Sequence, residues 1–181
     1  MSRARTGSER PIVAISSCLL GENVRYDGKH KQDACIAQYL SAHVDWKPLC
    51  PEVGAGLGVP RPPVRLVGDK DRPGALGIEN ADLDVTDALL DYARQVLQEL
   101  RGVNGYIFKS GSPSCGLTDT PLFGVDGRHK GFTSGIYARV ITTVLPDLAV
   151  IDEQQLCDAH SRDLFLQQVL ACWQRQKAGM S

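Results

Sequence analysis

The residues best suited to chemistry are cysteines, six of them among 181 residues, and they divide by context. Cys18, Cys50 and Cys115 sit in turn-rich stretches, SCLLG, LCPEVGAGLG and SPSCG, whereas Cys35, Cys157 and Cys172 fall inside helical patterns. A cysteine beside a helical apolar stripe is usually a small buried hydrophobe. A cysteine in a Gly- or Pro-rich turn lies where backbone N–H groups can point at a bound anion or sulfide. The separations within the turn trio, 32 and 65 residues, match no local C-x-x-C metal signature. What remains open from the residues alone is a set of reduced thiols or a set of metal ligands.

The elements that must deliver these thiols can be read from periodicity. Residues 12–17 (IVAISS) read as a buried strand ending at Cys18. Ile36, Tyr39 and Leu40 recur at helical spacing after Asp33, with His43 closing the turn. Trp46–Cys50 reads as a second strand that Pro48 confines to an edge. The segment from Pro60 to Gly77, dense in proline and glycine, reads as a long loop of the kind that serves as a lid. Thr86 is expected to cap a helix burying Leu89, Leu90, Ala93, Val96, Leu97 and Leu100. Gly105–Ser110 is a third strand leading into the Cys115 turn. Thr133 caps a helix with Ile136, Val140, Ile141 and Val144 inward, stopped at Pro146, and Leu148–Ile151 is a fourth strand. A last helix over about 161–177 carries Leu166, Val169, Leu170 and Trp173.

Strands alternating with helices predict an α/β domain of three Rossmann-like layers, with a mostly parallel sheet and helices on both faces. Each of the three turn cysteines then falls at or just past the carboxyl end of a strand, where open α/β sheets bind their ligands. The expected organisation is a flexible segment over residues 1–10 and a single domain over 11–181.

Hydrophobic content of 43% and charged content of 23% suit a core that needs no disulfide staples. A net charge of −1 supplies no basic field for long nucleic acid, and no apolar run reaches bilayer length. Arg3, Arg5 and Arg10 are not followed by an apolar h-region, so the opening does not read as a signal peptide. A cytoplasmic protein with a small or nucleotide-sized partner is expected. Nothing in the sequence reports oligomeric state.

Three stretches, SCLLGENVRYDGKHK at 17–31, LCPEVGAGLGVPRPP at 49–63 and KSGSPSCG at 109–116, resemble the signatures of the bacterial DUF523 family, which includes thiouracil desulfurases. The resemblance runs from about Ile12 to Ile151. It implies a [4Fe-4S] cluster held by Cys18, Cys50 and Cys115, with one iron left without a protein ligand and open to soft sulfur. The substrate it implies is a thiolated uracil, as thiobase or thionucleotide, converted to the oxo base with release of hydrogen sulfide; thiolated tRNA stays open. The departures from the pattern are a longer loop around Gly124 to Lys130 and the helix after Ser161.

In that chemistry Glu52, two residues after Cys50, is the candidate base that activates water. Ser112 and Ser114, flanking Pro113, are candidate hydrogen-bond donors or proton shuttles. Arg25, Tyr26 and Asp27 in the VRYDG turn, with Arg61, are candidates to line the substrate crevice. Two other readings keep the three thiols: a zinc hydrolase resembling the zinc deaminases, and a non-catalytic iron–sulfur sensor. None of His30, His43, His129 or His160 shares a motif with the cysteines.

Overall fold

The computed structural model describes residues 9–179. Of the expected flexible segment over residues 1–10, all but Glu9 and Arg10 lies outside the described residues. Arg10 itself is tied down, donating to the Ala42 carbonyl and pairing with Asp45.

In chain order the elements are β1 (Ile12–Ser16), α1 (Ala34–Tyr39), β2 (Asp45–Leu49), α2 (Pro51–Gly54), β3 (Val64–Gly68), β4 (Pro73–Gly77), α3 (Thr86–Val96), β5 (Gly105–Phe108), β6 (Thr120–Phe123), β7 (His129–Thr133), α4 (Ile136–Val144), β8 (Ala149–Asp152) and α5 (Ala159–Ala178). Four strands form a wholly parallel sheet in the order β2-β1-β5-β8. Alternation along the strands explains why both its faces are covered. Val13, Ile15 and Ile107 point to one side and meet Ile36, Leu40, Phe165 and Val169 from α1 and α5. Ala14, Tyr106 and Phe108 point to the other and meet Ala93, Val96, Tyr137, Ala138 and Ile141 from α3 and α4. The expected α/β architecture is therefore present. Pro48 lies, as its missing N–H requires, on the edge strand β2.

A second sheet, in the order β4-β3-β6-β7, corrects the loop expected over 60–77. There β3 and β4 pair antiparallel from Val64 opposite Gly77 to Gly68 opposite Pro73, with Leu66 and Ala75 buried. The prolines that suggested a lid stand at or just before strand starts, where no ladder N–H is lost, and Gly68 takes φ +105 at the turn. The longer loop around Gly124 to Lys130 is the turn joining the antiparallel β6 and β7. This sheet closes over Val85 and Leu89 of the α3 region and Ile136 of α4.

Two expected caps are also corrected. The Thr86 hydroxyl accepts from Ala75 N at 2.8 Å and fastens α3 to β4, while Asp84 accepts the Thr86 N–H. Thr133 ends β7, and Gly135 occupies the cap position of α4. The last helix starts at Ala159, two residues before Ser161, because Asp158 accepts from the Ser161 N–H. Val144 and Leu170, expected inward, are about half exposed, and Phe165 takes the place of Leu170 in the core. Among the described residues no helix is long and apolar enough to cross a membrane.

Candidate active site at the strand ends

In the sheet order, β2 lies on one side of β1 and β5 on the other, so the chain reverses its direction of travel across the sheet at β1. Parallel sheets open a crevice at such a point, beyond the carboxyl ends of the strands. Each of the three strands around it runs into one of the turn cysteines.

After β1 the chain makes a 3-10 turn, Ser17–Leu20, closed by Gly21 at φ +96, whose N–H reaches the Cys18 carbonyl. The Cys18 carbonyl also accepts from Lys31 N at 2.8 Å, and Leu19 O from Asp33 N at 3.0 Å. These bonds fold residues 22–33 back as a strap across the crevice mouth. After β2, Cys50 occupies the cap position of α2, with Pro51 at the first helical position, where its missing N–H costs nothing. After β5, Ser112 makes the turn that sets Cys115: its hydroxyl accepts from Cys115 N at 3.1 Å and Ser114 N at 3.3 Å. The open N-terminus of α4 completes that turn without a side-chain cap, because Gly116 O, Pro113 O and Ser114 O accept from Gly135, Ile136 and Ala138 N.

The result is a cavity of about 410 Å³ lined by Cys18, Cys50 and Cys115 together with Glu52, Arg61, Arg25, Tyr26, Lys31, Lys109 and Ser112. Cys115 is 5% exposed, and Cys18 and Cys50 are half-buried. Burial, then the neighbouring Cys50, pushes the Cys18 thiol up to about 11, against the pull of Lys109 and Arg25. Burial likewise raises Cys50, opposed by backbone N–H groups of α2, and raises Cys115, opposed by a hydrogen bond with Ser16. Burial holds these three neighbouring thiols neutral, and their thiolate forms, a soft donor set, would be favoured beside a cationic group. The Ser17 hydroxyl, buried at the cavity wall, has no hydrogen-bond partner. A sulfide-bearing cluster fits both features, since it takes thiolates and accepts hydrogen bonds at sulfur. Among the described residues no three His, Cys, Asp or Glu side chains converge on a point that would hold a single metal ion.

Comparison with known proteins bears on the same residues. A family model for 2-thiouracil desulfurase matches residues 13–153, from the first strand of the parallel sheet to just past its last. The chain belongs to the 2-thiouracil desulfurase family. As a family member it is an enzyme, a thiouracil desulfurase, and its likeness to DUF523 proteins holds. A solved structure described as a [4Fe-4S]-dependent thiouracil desulfidase, TudS (DUF523Vcz), aligns with TM-score 0.58 and 31% identity over 82% of this chain and 93% of that one. An uncharacterised Bacillus subtilis protein, YbbK, is 31% identical over 114 residues, 58% of this chain and 73% of its own.

For this desulfurase the geometry sorts the residues singled out in the sequence. Glu52 faces the cavity with both oxygens engaged: Oε2 lies 2.6 Å from Arg61 Nε, and Oε1 accepts from Ser114 Oγ at 2.8 Å. Ser114 is fully buried behind Glu52, and its hydroxyl meets that carboxylate rather than the cavity. Arg61 also donates to the carbonyls of Gly58 and Val24, tying the strap to the loop after α2. Arg25 and Tyr26 line the mouth, with the guanidinium over the ring. Asp27 stands outside the lining, pairing with Arg25 and accepting from Lys29 N.

A cluster of residues escaped the sequence reading. Lys109, which resembles a strand-end surface cation, lines the cavity and donates to Glu153 Oε1 at 2.5 Å. The Ser110 hydroxyl donates to the same oxygen at 2.6 Å and the Ser110 N–H to Oε2 at 2.8 Å. Burial would raise the Glu153 carboxyl, but these bonds outweigh it and hold it below the usual range. The only available signal was the adjacency of Lys109 and Ser110 to the SPSCG turn; Glu153 lies 38 residues beyond Cys115 and carries none.

Proposed function

We propose that Cys18, Cys50 and Cys115 hold the [4Fe-4S] cluster and that this enzyme hydrolyses the C=S bond of a thiolated uracil, releasing the oxo base and hydrogen sulfide. The observation that carries the reading is the convergence of three thiols, one buried and two half-buried, and one clamped carboxylate on a single cavity. The C-P-E order around Cys50 does not reproduce the H-x-E and P-C-x-x-C pattern of the zinc deaminases, which supports the cluster over a single zinc ion.

When bound, the cluster supplies an iron that lacks a protein ligand, a Lewis acid with affinity for the soft thiocarbonyl sulfur. Glu52 takes a proton from water as the water oxygen attacks the thiocarbonyl carbon. The C–S bond breaks, sulfur departs as hydrosulfide, and the proton balance gives one oxo base and one hydrogen sulfide per water consumed. Arg61 and Ser114 fix the carboxylate so that its remaining lone pairs face the cavity. Lys109, Lys31 and Arg25 line the wall, the first braced by Glu153 and the last by Asp27, and offer donors suited to an anionic base, a thionucleotide phosphate or the departing hydrosulfide.

The test is anaerobic reconstitution followed by an absorption spectrum, iron and sulfide counts, and an assay of hydrogen sulfide released from 2-thiouracil. Four irons per chain and sulfide release are expected, with the visible band lost on Ala substitution at Cys18, Cys50 or Cys115 and kept at Cys35, Cys157 or Cys172. Full activity with an intact cluster in Cys115→Ala would overturn the assignment. A sensor without catalysis would keep its function in Glu52→Ala.

A further inference from the structure

The three cysteines outside the cavity are not alike. Cys172 is half-buried beside Asn104 and Gln176. Cys35 and Cys157, 122 residues apart in sequence, meet with their sulfurs 3.7 Å apart. Cys35 lies in the first turn of α1, and Cys157 closes the 3-10 turn Gln155–Cys157 after β8. Both belong to helical patterns, yet Cys157 is exposed and the pair faces solvent at its edge.

We propose that Cys35 and Cys157 form a second thiol site, a dithiol that low-molecular-weight disulfides oxidise reversibly to an internal disulfide while the cavity cysteines stay as they are. The inference stands apart from the reading of the cavity. An S–S bond requires the sulfurs to close from 3.7 Å to about 2.05 Å, a movement of about 1.6 Å, within reach of side-chain rotation and small shifts of a short helix and a turn. One thiolate attacks the oxidant's disulfide and displaces one thiol, leaving a mixed disulfide. The neighbouring sulfur, already in contact, then attacks the protein sulfur and displaces the second thiol. Two electrons and two protons pass from the protein to the oxidant, and the protein gains one S–S bond. Because the second thiol is held beside the first, the internal step outruns hydrolysis or release of the adduct. The hydrogen bond with Cys35 pushes the Cys157 thiol up, so the attacking thiolate is the minor form of the exposed cysteine.

The bond would join two segments that frame the cavity. Asp33, next to α1, is bonded to Leu19 O in the Cys18 turn. Cys157 Sγ donates to the carbonyl of Glu153, whose carboxylate braces Lys109 and Ser110. The disulfide would therefore staple the strap to the wall that holds Lys109.

The experiment treats the cluster-loaded protein anaerobically with oxidised glutathione, blocks free thiols by alkylation, and reads the intact mass and the proteolytic peptides. The expected result is loss of two hydrogens, a cross-linked peptide pair joining Cys35 to Cys157, reversal by dithiothreitol and an unchanged visible cluster band. Cys35→Ser and Cys157→Ser should each instead retain one glutathione on the surviving cysteine. Both cysteines recovered alkylated, a stable glutathione adduct on the wild-type pair, or a disulfide involving Cys18, Cys50 or Cys115 would overturn the proposal.

Discussion

Glu52 and Arg61 form an ion pair that is almost sealed from solvent, with side chains 14% and 5% exposed and Oε2 2.6 Å from Nε. The guanidinium holds the carboxylate at the cavity wall and spends its other two nitrogens on backbone carbonyls of the strap and the loop after α2. A carboxylate held in this way has one orientation rather than a rotamer set. Glu52→Gln preserves that shape and removes the proposed base, so kcat should fall about 10²- to 10⁴-fold at full cluster occupancy. Steady-state rates normalised to iron content check this.

Ser114 touches Glu52 and not the cavity. Ser114→Ala removes one hydrogen bond of about 1 kcal/mol, and kcat should drop about fivefold with little change in KM. A comparable loss in KM alone would mean that Ser114 serves binding.

Arg61→Lys keeps the charge but cannot reproduce a three-way fork of donors. Arg61→Ala leaves the Glu52 carboxylate without its partner, at a cost of about 3 kcal/mol. Denaturant unfolding should rank wild type above Lys above Ala, and proteolysis should cut the strap over 22–33 sooner in Ala.

Glu153 gives stability a sign with pH. Its folded-state carboxyl is held below the usual value by Lys109 and Ser110 despite burial, so ionisation favours folding. That contribution is complete above the ordinary glutamate value of about 4.3 and is lost as pH falls through the lowered folded value. Glu153→Gln should be less stable than wild type at neutral pH, and the difference should shrink as pH drops below about 4. Thermal unfolding across that range measures it.

Gly135 abuts the Cys115 turn so closely that an added Cβ would stand 2.5 Å from the Ser114 carbonyl carbon and oxygen. Since the turn carbonyls also cap α4, Gly135→Ala should displace Cys115 and lower iron content after reconstitution by more than it lowers the unfolding temperature. Iron analysis beside calorimetry separates the two effects.

Much of this was written locally. The short, continuously apolar runs IVAIS and GYIF marked both as buried strands, and the turn residues around Cys18, Cys50 and Cys115 set them apart from the helical cysteines. The segment 60–77 misled because its prolines and glycines stand at the borders of short strands, where they interrupt the period without breaking a ladder. Strand β6 carries Pro121 within four residues, and β7 is exposed along most of its length, so neither shows the alternation that would announce a strand.

The sequence by itself set apart the three turn cysteines and Glu52 beside them, and determined the alternation of strands and helices and the kinship that three ordered motifs express. Local dihedral preference and burial period suffice for these, because both are felt within a few residues. Only the tertiary structure decided that β2, β1 and β5 lie side by side, bringing three distant cysteines to one cavity. It alone paired Glu52 with Ser114, Lys109 with Glu153 and Cys35 with Cys157. Such partners are chosen by strand order, register and the hand of crossovers, and no local period encodes a contact made across 44, 62 or 122 residues.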